Sequence, residues 1–178
     1  MDKPTLIIGG EELTYMMQLI NVSGAMPIAG VGTVEIDKSK TSIRVARIAL
    51  VPQERNPSFT YLTPEAKDIN EVTSDWMAST TAKDIRLRWC STLSAEPKPI
   101  ITHDLIGLGY DWFIFVEANA RGKIAARLEV YKPLRISTEM DIVIDYTPDA
   151  TRGAYLDQQI STATHHIPTA TIIKKRRS

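Results

Sequence analysis

The stretch DWFIFVEANARGKIAARLEVY, residues 111–131, decides how this chain is read. Asp111 to Ala118 and Lys123 to Tyr131 are two strand patterns of ordinary length. Asn119-Ala120-Arg121-Gly122 between them is a hairpin turn, with asparagine and glycine placed for positive φ. Downstream, Pro133 ends the second strand and Met140 to Tyr146 alternates as a third. Upstream, Ile85, Leu87 and Trp89 alternate with Arg86 and Arg88, as a half-buried strand does. That strand leads into a proline-rich loop from Ala95 to Pro99.

The N-terminal half adds further elements. Thr5 to Ile8 reads as a short strand, broken by Gly9-Gly10 before Glu11-Glu12, whose charges suit the first turn of a helix. Leu13, Met16, Met17 and Ile20 recur at helical spacing, so this helix buries one face until Ser23-Gly24 stops it; Tyr15 is read as core. Ile28 to Ile36 is a strand whose glycines at 30 and 32 allow a neighbour to approach closely. Ile43, Val45, Ile48 and Leu50 continue the sheet. Thr63-Pro64-Glu65 is a helix start, with threonine as cap and proline at the first helical position, and the helix runs to Met77. Sequential antiparallel strands after two helices predict an α+β fold: a mixed, largely antiparallel sheet flanked by helices.

Composition excludes several function classes. The chain has 178 residues, 43% of them hydrophobic, enough for one domain with a sizeable core. Its 21 basic and 21 acidic residues cancel, so no global field recruits nucleic acid or an anionic membrane. Apolar runs such as Phe113 to Val116 are far below the ~20 residues that span a bilayer, and the start at Met1-Asp2-Lys3-Pro4 has no apolar leader pattern. The single cysteine, Cys90, allows no intramolecular disulfide and suits a reducing compartment. The expected address is the cytoplasm, or a virion or other large assembly.

The order of these pieces carries a resemblance. The Gly30-Val31-Gly32 strand after a helix, Val51-Pro52-Gln53, Trp89 before a loop, Trp112-Phe113-Ile114 to Asn119-Ala120-Arg121-Gly122-Lys123, Ala126-Arg127-Leu128 and Lys132-Pro133 together resemble a JAB/MPN (JAMM) domain of the prokaryotic and phage branch. The resemblance implies a JAB/MPN-like domain over residues 1–147, similar in fold to cytidine deaminases, and an extension over 148–178. In active members a His-x-His and a later aspartate hold zinc, and a glutamate before the glycine-rich strand is the general base. Three protein ligands leave one position for a water whose pKa zinc lowers toward ~7.

Carried over by resemblance, the histidine positions fall on Cys90 and Thr92, the aspartate on Asp104, the family serine near Ile101, and the glutamate on Met26 or Pro27. Threonine is no substitute for imidazole, and neither methionine nor proline moves a proton. The resemblance therefore implies a pseudoenzyme without a cofactor, acting as a structural or scaffolding subunit through protein contacts, as a homo- or hetero-oligomer that includes pairing with another MPN-fold subunit. The phage-type branch implies a phage- or virus-derived protein. The alternatives are a zinc isopeptidase or peptidase with substituted ligands, for which Cys90, His103 and Asp104 are the candidates, and a non-cleaving binder of ubiquitin-like tails.

Residues 148–178 read as an arm that a neighbouring subunit orders, with docking on its own domain as the alternative. Its candidate contact residues are His165, His166, Lys174, Lys175, Arg176 and Arg177. The His pair has no further ligands beside it, and the basic cluster is read as a solvated or salt-bridged end rather than a nucleic-acid site.

Overall fold

The computed structural model describes residues 3–24, 28–37, 42–50, 86–98, 111–131 and 134–148. The expected hairpin forms, with β5 (Trp112–Ala118) antiparallel to β6 (Ile124–Val130). Gly122 takes a φ of 83° in the turn. Asn119 contributes its side chain: Oδ1 accepts from the backbone N–H groups of Arg121 and Lys123, both at 3.0 Å. A short asparagine amide thus replaces backbone acceptors that the tight turn cannot supply.

From this hairpin the sheet grows in both directions. β4 (Leu87–Ser91) lies parallel to β5. Beyond it come β2 (Ala29–Asp37), β3 (Ser42–Leu50), β1 (Thr5–Gly9) and β8 (Asp141–Asp145), while β7 (Ile136–Glu139) pairs with β6 on the other side. The order β7-β6-β5-β4-β2-β3-β1-β8 is mixed, since β1 is parallel to both β3 and β8. A register shift between Thr33 and Val34 of β2 adds a local bend.

The two ends of this order are consecutive in sequence. β7 runs along β6 as far as Glu139, and the Met140 N–H then donates to the Ala126 carbonyl at 3.0 Å. One residue later the Asp141 N–H donates to the Pro4 carbonyl at 3.0 Å, and the chain continues as β8 against β1. A single extended run thus leaves one edge and joins the other, curling the eight strands into a nearly closed barrel. Met140 is buried, and Ile142 and Ile144 pack on the same core, so one alternation serves both halves of the run.

The expectation of a helix-flanked α+β sheet, similar in fold to cytidine deaminases, is corrected by this arrangement. Among the described residues there is one helix, α1 (Gly10–Ser23), and its Tyr15, Met16, Leu19 and Ile20 share one core cluster with residues of β1, β3, β4, β5 and β6. A helix meeting so many strands at once fills the inside of a curl; it does not flank an open sheet. The expected helix from Thr63 to Met77 lies outside the described residues. Alternation identified 140–146 as a strand but could not name β1 as its partner, because pairing between distant segments leaves no mark on local periodicity.

Glycines of β2 make room for β4 on the inner face. Gly30 pairs with Trp89 and Gly32 with Leu87. A Cβ at Gly30 would collide with the Trp89 indole and the Ala49 carbonyl, and one at Gly32 would lie 2.7 Å from the Arg47 carbonyl. The indole therefore lies over bare backbone, where it is almost wholly buried at 1% exposure. On the opposite face Phe113 and Phe115 stack at 5.5 Å with Tyr131 against them, and the Arg88 guanidinium lies 5.7 Å from the Phe113 ring. The alternation of β4 predicts a half-buried strand, with Arg88 opposite Leu87 and Trp89; Arg88 is itself only 6% exposed. It is buried there, because the β4–β5 strands are covered on both sides, as parallel strands usually are.

Candidate functional site

The positions that the resemblance assigns to the first two ligands lie at the end of β4. Ser91, between them, is tied to the start of β2: its N–H donates to the Ile28 carbonyl at 2.9 Å, and its Oγ accepts from the Ile28 N–H at 2.8 Å. The Thr92 N–H donates to the Ala118 carbonyl at 2.9 Å, extending the parallel ladder by one bond. Cys90 is the register partner of Glu117 on β5, so the two side chains share the outer face. Thr92 reaches that face as well and hydrogen-bonds the Glu117 carboxylate.

Three anchors hold the following loop. The Lys98 N–H donates to Glu117 Oε2 at 2.9 Å, Asn119 Nδ2 donates to the Ser94 carbonyl at 3.2 Å, and Lys123 Nζ meets Glu96 at 2.6 Å. The exposed Lys123–Glu96 pair adds little energy. The Glu117 and Asn119 bonds are sheltered and set the loop's position. The hairpin turn and the site loop are therefore one unit, with Asn119 bonded to both.

The chemistry of this corner is a thiol, a hydroxyl and a carboxylate. Burial, aided by the Glu117 charge, pushes the Cys90 thiol up to about 12, so it is protonated at neutral pH. Burial also raises the Glu117 carboxyl above its ordinary range, against the opposing hydrogen bonds from Thr92 and Lys98. Among the described residues no group of three or more His, Cys, Asp or Glu is arranged to hold a metal ion. Met26, Pro27, Ile101, His103, Asp104, His165, His166, Lys174, Lys175, Arg176 and Arg177 lie outside the described residues. Glu117 was missed in the sequence. Its signal was a carboxylate following the apolar run Phe113 to Val116, at a position where alternation gave no solvent-facing role.

The raised Glu117 carboxyl fixes the sign of one pH dependence. The folded state holds this proton more tightly than the unfolded chain, so stability falls as pH rises from the ordinary carboxylate value of 4.5 through the raised one. Glu117→Gln keeps an acceptor for the Lys98 N–H and removes the titration. Denaturant midpoints between pH 4 and 8 should show a flatter slope over that window in the variant than in the parent. Parallel curves would contradict the assignment.

No family model matches this chain, and no curated protein does. Among solved structures, it is similar to the solution structure of protein DSY2949 from Desulfitobacterium hafniense, at 11% identity and a TM-score of 0.52, over 81% of this chain and 95% of that one. At that identity the likeness is one of fold alone. Among the described residues no helix is long and apolar enough to cross a membrane.

Proposed function

We propose that this chain is a non-catalytic protein of JAB/MPN type, a structural or scaffolding subunit of phage or viral kinship that acts through protein–protein contacts. The observation that carries the reading is the state of Cys90 and Thr92. A zinc site needs deprotonated or basic donors at both places. Threonine is no such donor, and its hydroxyl is engaged by Glu117. A general base at Met26 or Pro27 is chemically excluded by residue type.

Protein contacts are supported by what the surface offers. Leu134, Ile136, Val143 and Tyr146, along the run that closes the sheet, are 48–76% exposed, and Leu93 in the site loop is 79% exposed. They do not form one patch, since Ile136 and Val143 lie on opposite faces of the alternating run, but exposed apolar side chains at both of its ends suit contacts with another protein. Pairing with another MPN-fold subunit or with a second copy would use such contacts.

Metal content is the test. Protein purified without chelator should contain well under 0.1 zinc per chain by elemental mass spectrometry, on the order of background for a protein with no closed ligand set. A value near one zinc per chain would overturn the reading and favour an isopeptidase with ligands rebuilt from Cys90, His103 and Asp104. The double variant Cys90→His/Thr92→His supplies the comparison, since it restores two imidazoles at the corner.

A further inference from the structure

The site loop and the hairpin turn form one fixed platform. Within the loop, the Ser94 N–H donates to Thr92 Oγ1 at 3.0 Å, the Glu96 N–H donates to Ser94 Oγ at 3.2 Å, and Ser94 Oγ donates to the Glu96 carbonyl at 3.0 Å. Pro97 is buried, and Asn119 ties the loop to the turn. α1 backs the same turn, since a Cβ at Gly122 would stand 2.8 Å from Met17 Sδ. With its polar backbone engaged in this way, the loop still leaves the Leu93 side chain 79% exposed.

The charges of the platform do not cancel. Glu96 is paired with Lys123 at 2.6 Å, and Glu117 is buried and already accepts from Thr92 and the Lys98 N–H. The half of α1 that faces the turn, from Met17 to Ser23, carries no charged residue. Two cations remain, Lys98 in the loop and Arg121 in the turn. Both are exposed, and among the described residues neither side chain has an ion-pair or hydrogen-bond partner. An exposed leucine and two uncancelled cations are therefore held on one preformed surface.

We propose that this platform docks an acidic, apolar-centred peptide segment of a partner protein, with Leu93 against the segment's apolar side chains and Arg121 and Lys98 against its flanking carboxylates. A single exposed leucine needs no partner of its own. Here it stands on a loop fixed before binding, so little ordering entropy opposes the contact, and arginine is a favoured residue at such interfaces. The uncancelled cations select the sign of the partner's charge. A nucleic acid would use those cations and leave Leu93 idle. The inference rests on the protein-contact reading and names the partner's chemistry; it does not depend on zinc, so peptide binding can fail while the chain stays free of metal.

Fluorescence anisotropy of the full chain with short labelled peptides tests it. The peptides share one Leu-Phe-Leu core and differ only in their flanks, which are aspartates, serines or lysines. The aspartate peptide should bind ~10-fold tighter than the serine peptide, the scale of two surface charge pairs, and lose that advantage at high salt. Leu93→Ser should weaken it by ~10-fold, the scale of burying one leucine side chain. Lys98→Ser/Arg121→Ser should abolish the preference for aspartate. The replaced side chains are all exposed, so each variant should melt with the parent. The proposal is overturned by an aspartate peptide that fails to bind at millimolar concentration, by serine or lysine flanks that bind as tightly, by binding that survives Leu93→Ser, or by a single-stranded oligonucleotide that binds as tightly as the aspartate peptide.

Discussion

Trp89→Ala is expected to cost ~3–5 kcal/mol of folding stability, the range for deleting a large buried aromatic. Trp89 is among the largest fully buried side chains, at 1% exposure, and it belongs to the core cluster that joins α1 to the strands. For a domain of this length that loss lowers the melting temperature by about 10 °C. Trp89→Phe separates packing from polarity. Among the described residues the buried indole Nε1 has no hydrogen-bond partner, so phenylalanine removes an unsatisfied donor while retaining much of the packing. Its cost should be below half that of alanine. Gly30→Ala is the reciprocal change, because its new Cβ meets the indole and the Ala49 carbonyl across the β2–β3 ladder. Thermal melts of the three variants check the argument. A Trp89→Ala melt within 3 °C of the parent would mean that the indole is not seated over Gly30.

What could be read in the sequence, and what could not, follows the range of the interactions involved. The β5–β6 hairpin was legible because turn residues and flanking alternation are local signals, and α1 was legible for the same reason. The seam was not. β7 contributes only Ile-Ser-Thr-Glu, too short and polar to stand out, and the run from Ile136 to Asp145 changes partners at Met140 with no sequence mark beyond unbroken alternation. The nearly closed barrel rests on that exchange. At the candidate site, the residue types at Cys90 and Thr92 were visible, but their shared carboxylate was not, since Glu117 comes next to them only through the parallel pairing of β4 and β5. Asn119 shows a subtler case: the turn was foreseen, while the asparagine acts through its amide, capping the turn and pinning the site loop.

The Cys90 thiol should be nearly inert in the folded protein, and its inertness bears directly on function. With its pKa pushed up to about 12, the thiolate fraction at pH 8 is ~10⁻⁴, against a few tenths for an unperturbed thiol. Modification by an aromatic disulfide reagent should therefore be ~10³-fold slower in the native protein than in the denatured chain, with Cys90→Ser as the blank. Glu117→Gln removes the smaller, coulombic cause and leaves burial in place, so it should accelerate the reaction only modestly. A native rate within tenfold of the denatured one would show a thiolate held at this corner, the state that both a thiol nucleophile and a zinc ligand require. The expected slow reaction argues against a thiol nucleophile at this corner. The outer face of β4, where Cys90 meets Glu117, favours the neutral form of both groups, through burial in each case and, for the thiol, through the neighbouring carboxylate as well.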